Sequence, residues 1–121
     1  MHYDSSYKPG SIANCNELLC CRAKSKNGTK RAGFWGSYGE KCDVPLHLIE
    51  NLFHHINTSH GQDYDVIYWT GDNSEHAPWM MSTENTMNAT ETITDLMKKY
   101  LGSNKIVIPI IGNHETAPPD L

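Results

Sequence analysis

The chain has 121 residues, 38% of them apolar, which is enough for one small domain. Its formal net charge of −4 leaves no basic stripe to displace counterions from a nucleic-acid polyanion, so that partner class is excluded. Lys24, Lys26, Lys30 and Arg31 form one short basic cluster that a solvated loop explains, and the longest apolar run is far too short to span a bilayer.

Residues 1–43 are rich in turn formers, including Pro9-Gly10, Asn27-Gly28 and the run Gly33-Phe34-Trp35-Gly36-Ser37-Tyr38-Gly39. Such a segment packs little core, and Cys15, Cys20, Cys21 and Cys42 all fall within it, which points to covalent staples and an oxidising compartment. A bridge between the adjacent Cys20 and Cys21 would be strained. Two connectivities remain open: Cys15-Cys20 with Cys21-Cys42, or Cys15-Cys21 with Cys20-Cys42. Sequons at Asn27, Asn57 and Asn88 agree with secretion. The chain nevertheless opens on Met1-His2-Tyr3-Asp4 without a signal sequence, so its true N-terminus is expected to lie upstream.

A first helix is expected after Asp43, which can cap it, with Pro45 in its first turn. Leu48, Ile49, Leu52, Phe53 and Ile56 recur at helical spacing on one face. His47, His54, His55 and His60 lie on or just beyond this helix and read as a solvated face. A strand follows at Val66-Ile67-Tyr68-Trp69, then a loop from Asp72 that carries His76, Pro78 and Trp79. A second helix is expected over residues 82–101, burying Ile93, Leu96, Met97, Tyr100 and Leu101 and ending at Gly102. A second strand, Ile106-Val107-Ile108-Pro109-Ile110-Ile111, leads into Gly112-Asn113-His114-Glu115. Strand, helix, strand makes a βαβ unit with a parallel pair. Two strands are too few to bury both faces of a parallel sheet, so the chain has the look of a piece of a larger domain.

The chemistry lies where both strands end. Thr70-Gly71-Asp72-Asn73 and Gly112-Asn113-His114-Glu115 each place a metal-type ligand just after a glycine, at the carboxyl edge where open α/β sheets collect ligands. Hydrolysis of a phosphodiester by two metal ions needs a carboxylate that bridges them, and Asp72 is placed to do so. Asn113 can lend a neutral amide oxygen, while His114, helped by His76, can donate a proton to a basic leaving oxygen. Glu115 fits either a supporting partner of the site or a helix-starting carboxylate. Trp35, Trp69 and Trp79 fit a cage for a quaternary ammonium less well than core and loop packing, since Trp69 sits within a strand.

These motifs resemble the binuclear metallophosphoesterases, and the chain as a whole resembles the first half of the catalytic domain of the acid sphingomyelinase family. The likeness runs through His2-Tyr3-Asp4 with Tyr7, the Cys20-Cys21 doublet, Trp35-Gly36-Ser37-Tyr38-Gly39 and Lys41-Cys42-Asp43-x-Pro45. It continues through Tyr68-Trp69-Thr70-Gly71-Asp72-Asn73-x-x-His76 and Pro109-x-x-Gly112-Asn113-His114-Glu115. The resemblance implies the βαβ half of a four-layer α/β sandwich over residues 44–121, a disulfide-rich excursion over 1–43, and Cys15-Cys20 with Cys21-Cys42 pairing. It further implies two zinc ions with His2, Asp72 and Asn113 among their ligands, and His114 and His76 as catalytic residues. The implied reaction is cleavage of sphingomyelin to ceramide and phosphocholine at a membrane surface, outside the cell or in lysosomes.

The chain also departs from the family. The family's aspartate two residues before His2 is missing, three further histidine ligands belong to motifs beyond Leu121, and Ala77 stands where an acidic or amide residue often follows the loop histidine. The 121 residues alone are therefore expected to be inactive. Two competing readings are a related phosphodiesterase acting on nucleotides, and a non-catalytic secreted remnant that binds lipid or protein.

Overall fold

The computed structural model describes residues 1–77, 82–102 and 104–116. The elements after the N-terminal segment are α1 (Leu46–His60), β1 (Val66–Trp69), α2 (Thr83–Leu101), β2 (Ile106–Pro109) and a 3-10 turn (Asn113–Glu115). Among the described residues the fold is mixed α/β, with two helices and a two-stranded parallel sheet.

In the sheet, Val66 pairs with Ile106 and Trp69 with Pro109, in the parallel register that a helical crossover produces. β2 is two residues shorter than expected. The reason lies in its partner: the chain turns away after Trp69 into Gly71, at φ +71°, so after the Ile110 N–H reaches the Trp69 carbonyl at 2.7 Å the ladder has no further partner. The sheet's apolar residues stay largely open, with Tyr68, Ile106, Ile110 and Ile111 all more than half exposed.

The main core is Ile49 and Phe53 from α1 against Ile93, Met97 and Leu101 from α2, with Ile56, Ile67, Trp69, Leu96 and Tyr100 packed around them. Four-residue steps on each helix put these side chains on single facing stripes. Leu52, expected on the buried face, is exposed, because among the described residues α2 is the main element packed against α1 and it covers a narrow stripe. Ser82 caps α2 by accepting from the Asn85 amide at 3.2 Å, Glu84 sits at its positive end and Lys98 and Lys99 at its negative end, and Gly102 ends it at φ +81°. α1 starts differently from expectation. Pro45 is its cap residue with no side-chain cap bond, and Asp43 faces elsewhere.

The N-terminal segment is held by the disulfides Cys15–Cys20 and Cys21–Cys42. Around the second lies a small core of Ala13, Cys21 and Ala32 with Tyr7 and Cys42. Asp4 is fully buried and gripped by Arg22 through Nε at 2.8 Å and Nη2 at 3.0 Å, an ion pair that keeps this carboxylate from ligand duty. His54, His55 and His60 are exposed as expected, whereas His47 stacks on Phe34 with ring centroids 4.4 Å apart and also meets Trp35. Pro78 and Trp79 lie outside the described residues.

Candidate metal centre

Three backbone pieces converge beyond the carboxyl ends of β1 and β2. The first, residues 2–4, runs beside 72–74: the amides of His2 and Tyr3 donate to the carbonyls of Asp72 and Asn73, each at 2.7 Å. On its other side the same piece exchanges bonds with Val44, which donates to the His2 carbonyl at 3.0 Å and accepts from Asp4 at 3.0 Å. This pairing carries His2, in a left-handed conformation at φ +49°, to the end of a sheet from which it is distant in sequence.

The second and third pieces, 71–74 and 112–115, touch backbone to backbone. A Cβ on Gly71 would stand 2.4 Å from the Gly112 nitrogen and 2.7 Å from the Ile110 carbonyl oxygen; one on Gly112 would stand 2.6 Å from the Asp72 nitrogen. Only glycine permits this approach, which explains why both motifs carry it. Glu115 then ties them: Oε2 accepts from the Asp72 amide at 2.7 Å and the Gly112 amide at 2.8 Å, and Oε1 from the Asn73 amide at 2.6 Å. Both roles weighed from sequence are filled: Glu115 supports the Asp72 loop and, through the Gly112 amide, starts the 3-10 turn. Asn73, itself buried, accepts from Trp69 Nε1 at 2.9 Å, so Trp69 serves the core and the loop.

The side chains that remain point together. Nitrogens of His2, His76 and His114 all lie within 4.8 Å of one another. The His2 and His76 rings stack with centroids 3.8 Å apart, and His114 meets both edge-on at 4.7 and 4.9 Å. Asp72 Oδ2 stands 3.6 Å from His2 Nε2, while its Oδ1 accepts from the His114 amide at 3.2 Å. Asp72 is held at φ +54°, a conformation an aspartate adopts at some cost and which turns its carboxylate toward the imidazoles. Asn113 opens the 3-10 turn beside His114 and is exposed.

Electrostatics favour a neutral, ligating imidazole at His2. Half-burial lowers the His2 pKa from the usual histidine value, and the neighbouring His76 and His114 lower it further against the opposing Ser74 carbonyl, which His2 Nδ1 meets at 3.1 Å. His114 is buried and its Nδ1 has no hydrogen-bond partner among the described residues. A buried orphan nitrogen beside two more imidazoles and a carboxylate is a donor set suited to a divalent cation such as zinc.

Of the residues singled out from sequence, the structure brings His2, Asp72, His76 and His114 together, and Asn113 stands beside them in the chain at the start of the 3-10 turn. Sequence reasoning raised Glu115 as a supporting partner without its three amides, and it did not find Asp43 as the partner of His76 or Arg22 as the partner of Asp4. Only Glu115 left a signal, since the third residue after Gly112 is where a side chain can reach back to the first amides of a turn.

No family model matches the chain. It is 42% identical over 98% of its length to sphingomyelin phosphodiesterase B of Dictyostelium discoideum. It is 40% identical to the sphingomyelin phosphodiesterase of Bos taurus and 36% to that of Homo sapiens, again over 98% of its length. The chain spans 18–19% of the length of these curated relatives. A match over 98% of the chain spans both glycine-led loops and the doublet Cys20-Cys21, and on that similarity the chain belongs to the acid sphingomyelinase family.

Proposed function

We propose that this chain supplies part of the active site of a zinc-dependent sphingomyelin phosphodiesterase that yields ceramide and phosphocholine. The observation that carries the reading is the convergence of Asp72, His2, His76 and His114 at one sheet edge, in a chain related along nearly its whole length to proteins named for that activity. On this reading the βαβ portion over residues 44–121 is half of a metallophosphoesterase domain and 1–43 is its disulfide-rich excursion. Secretion or a lysosomal location, with glycans on Asn27, Asn57 or Asn88, goes with it, and the substrate is met at a membrane surface.

His2, Asp72 and Asn113 would hold the metal. When bound, divalent ions polarise the phosphoryl oxygens and acidify an attacking water. The rest falls to the chain. Asp72 is oriented by the His114 amide and, through its own amide, by Glu115, so its carboxylate is fixed before substrate arrives. His114 and His76, edge to face at 4.9 Å, would deliver a proton to the departing ceramide oxygen. A second reading is favoured by the three-imidazole cluster itself: His2, His76 and His114 could share one ion, which would make all three ligands.

Zinc stoichiometry measured beside sphingomyelin hydrolysis, on a chain of the relatives' length carrying this segment, separates the two. Asp72→Ala is expected to lose zinc and turnover together. His114→Ala is expected to keep zinc and lose turnover; zinc lost with His114 would select the three-imidazole reading. Full zinc and normal turnover in Asp72→Ala would overturn the first reading, and zinc kept in His114→Ala would overturn the second.

A further inference from the structure

We infer that Asp43 is a positioning residue for His76: its carboxylate clamps the histidine by the backbone and the ring at once and fixes which ring nitrogen faces the reaction. Oδ2 accepts from the His76 amide at 2.6 Å and Oδ1 meets the imidazole Nδ1 at 2.7 Å. Two contacts from one carboxylate to one residue restrain both the loop and the rotation of the ring. A carboxylate has no proton to give, so the proton in the second contact belongs to Nδ1. Nε2 is then the nitrogen that takes up a proton from solvent and, as the imidazolium, passes it to a leaving group.

The clamp is itself braced. The Asp43 side chain is only 8% exposed against 54% for His76, so the fixed partner is the carboxylate and the positioned one the imidazole. On one flank Cys42 is bonded to Cys21; on the other Val44 exchanges hydrogen bonds with the His2–Asp4 piece. Asp43 is therefore anchored by the disulfide-rich segment, and through it that segment reaches the site. Freed of such a partner, an exposed imidazole on a loop would sample both tautomers and several rotamers, and its stack on His2 at 3.8 Å would not hold.

The inference rests on the role given to His76 above, and its test reads protonation of a ring nitrogen without turnover. Long-range proton–nitrogen correlation spectra of the nitrogen-15-labelled 121-residue chain, with chelator present and at a pH where free imidazoles are neutral, distinguish the tautomers. The His76 signals are identified by their loss in His76→Gln. The expected result is a proton on Nδ1 of His76 in the wild-type chain, and a shift toward the Nε2–H pattern in Asp43→Asn, whose amide can donate to Nδ1. An unprotonated Nδ1 in the wild type would overturn the inference, and so would an unchanged His76 pattern in a folded Asp43→Asn. Should that variant not fold, the wild-type pattern decides alone. Full turnover in His76→Ala on the longer chain would instead remove the catalytic role of His76 and leave the clamp standing.

Discussion

Replacing Glu115 with alanine should be among the most costly changes a partly buried side chain of this protein can suffer. The carboxylate accepts from three backbone amides, those of Asp72, Asn73 and Gly112, at 2.6–2.8 Å. A hydrogen bond to a charged group contributes about 1.5–3 kcal/mol, but water can reach part of this site and the three share one acceptor, so we expect about 2–4 kcal/mol for the set. Against a total of about 0.05–0.15 kcal/mol per residue, that is a large share of the stability available. Urea unfolding followed by tryptophan fluorescence should show the midpoint fall by about 1–2 M with little change in slope. Hydrogen exchange should speed up first at the amides of Asp72, Asn73 and Gly112. Glu115→Gln, which keeps one accepting oxygen, should lose about half as much. An alanine variant within about 0.5 kcal/mol of wild type, the range of ordinary surface changes, would refute the view that Glu115 ties the two loops together.

Gly71→Ala and Gly112→Ala should each destabilise more than Gly10→Ala. All three can be compared by urea midpoint: Gly10 has φ +79° and open space, leaving only a left-handed penalty of about 1–2 kcal/mol, whereas the first two also drive a Cβ into backbone. Arg22→Ala should cost about 3–5 kcal/mol by stranding the buried Asp4 carboxylate, with Asp4→Asn, Arg22→Ala together recovering part of it in a double-mutant cycle. Opening Cys21–Cys42, whose partners are 21 residues apart, should cost about 3 kcal/mol in the loop-entropy picture, more than opening the five-residue separation of Cys15–Cys20. Mass mapping of protein from an oxidising host should find no free thiol and a glycan on Asn27 or Asn88; four reduced cysteines would count against the secretory proposal.

Much of this architecture is legible in the sequence because it is local. α2 announces itself by Ser82, a 3.6-residue apolar stripe and Gly102, and its observed limits agree to a residue. β1 is four β-branched or aromatic residues bounded by turn formers. The site motifs are legible for the same reason: glycine, ligand and strand end stand side by side in the chain. Misreadings came where a residue had a local use and took a distant one. Asp43 stands where a helix cap belongs, and nothing within a few residues of it reveals that a histidine 33 positions onward claims both carboxylate oxygens. Leu52 satisfies the helical period, but how wide a face is covered depends on how many neighbours arrive, which periodicity does not encode. His47 has the look of a surface residue until Phe34 and Trp35 fold back onto it.

Bonds in this site divide the carboxylates by task. Asp4, Asp43 and Glu115 are nearly saturated by an arginine, a histidine or backbone amides, and each joins segments far apart in sequence. Asp72 is different: one oxygen accepts a single amide at 3.2 Å and the other faces an imidazole at 3.6 Å, too far for a hydrogen bond. A buried group kept without a partner costs stability, and among the described residues the Nδ1 of His114 is such a group beside Asp72. Such costs are tolerated where a ligand later collects them. On the function proposed above, the rigid frame around Asp72 and the three imidazoles would stop those groups from relaxing onto the protein itself, and so would preserve their capacity to bind a cation and an anionic phosphodiester.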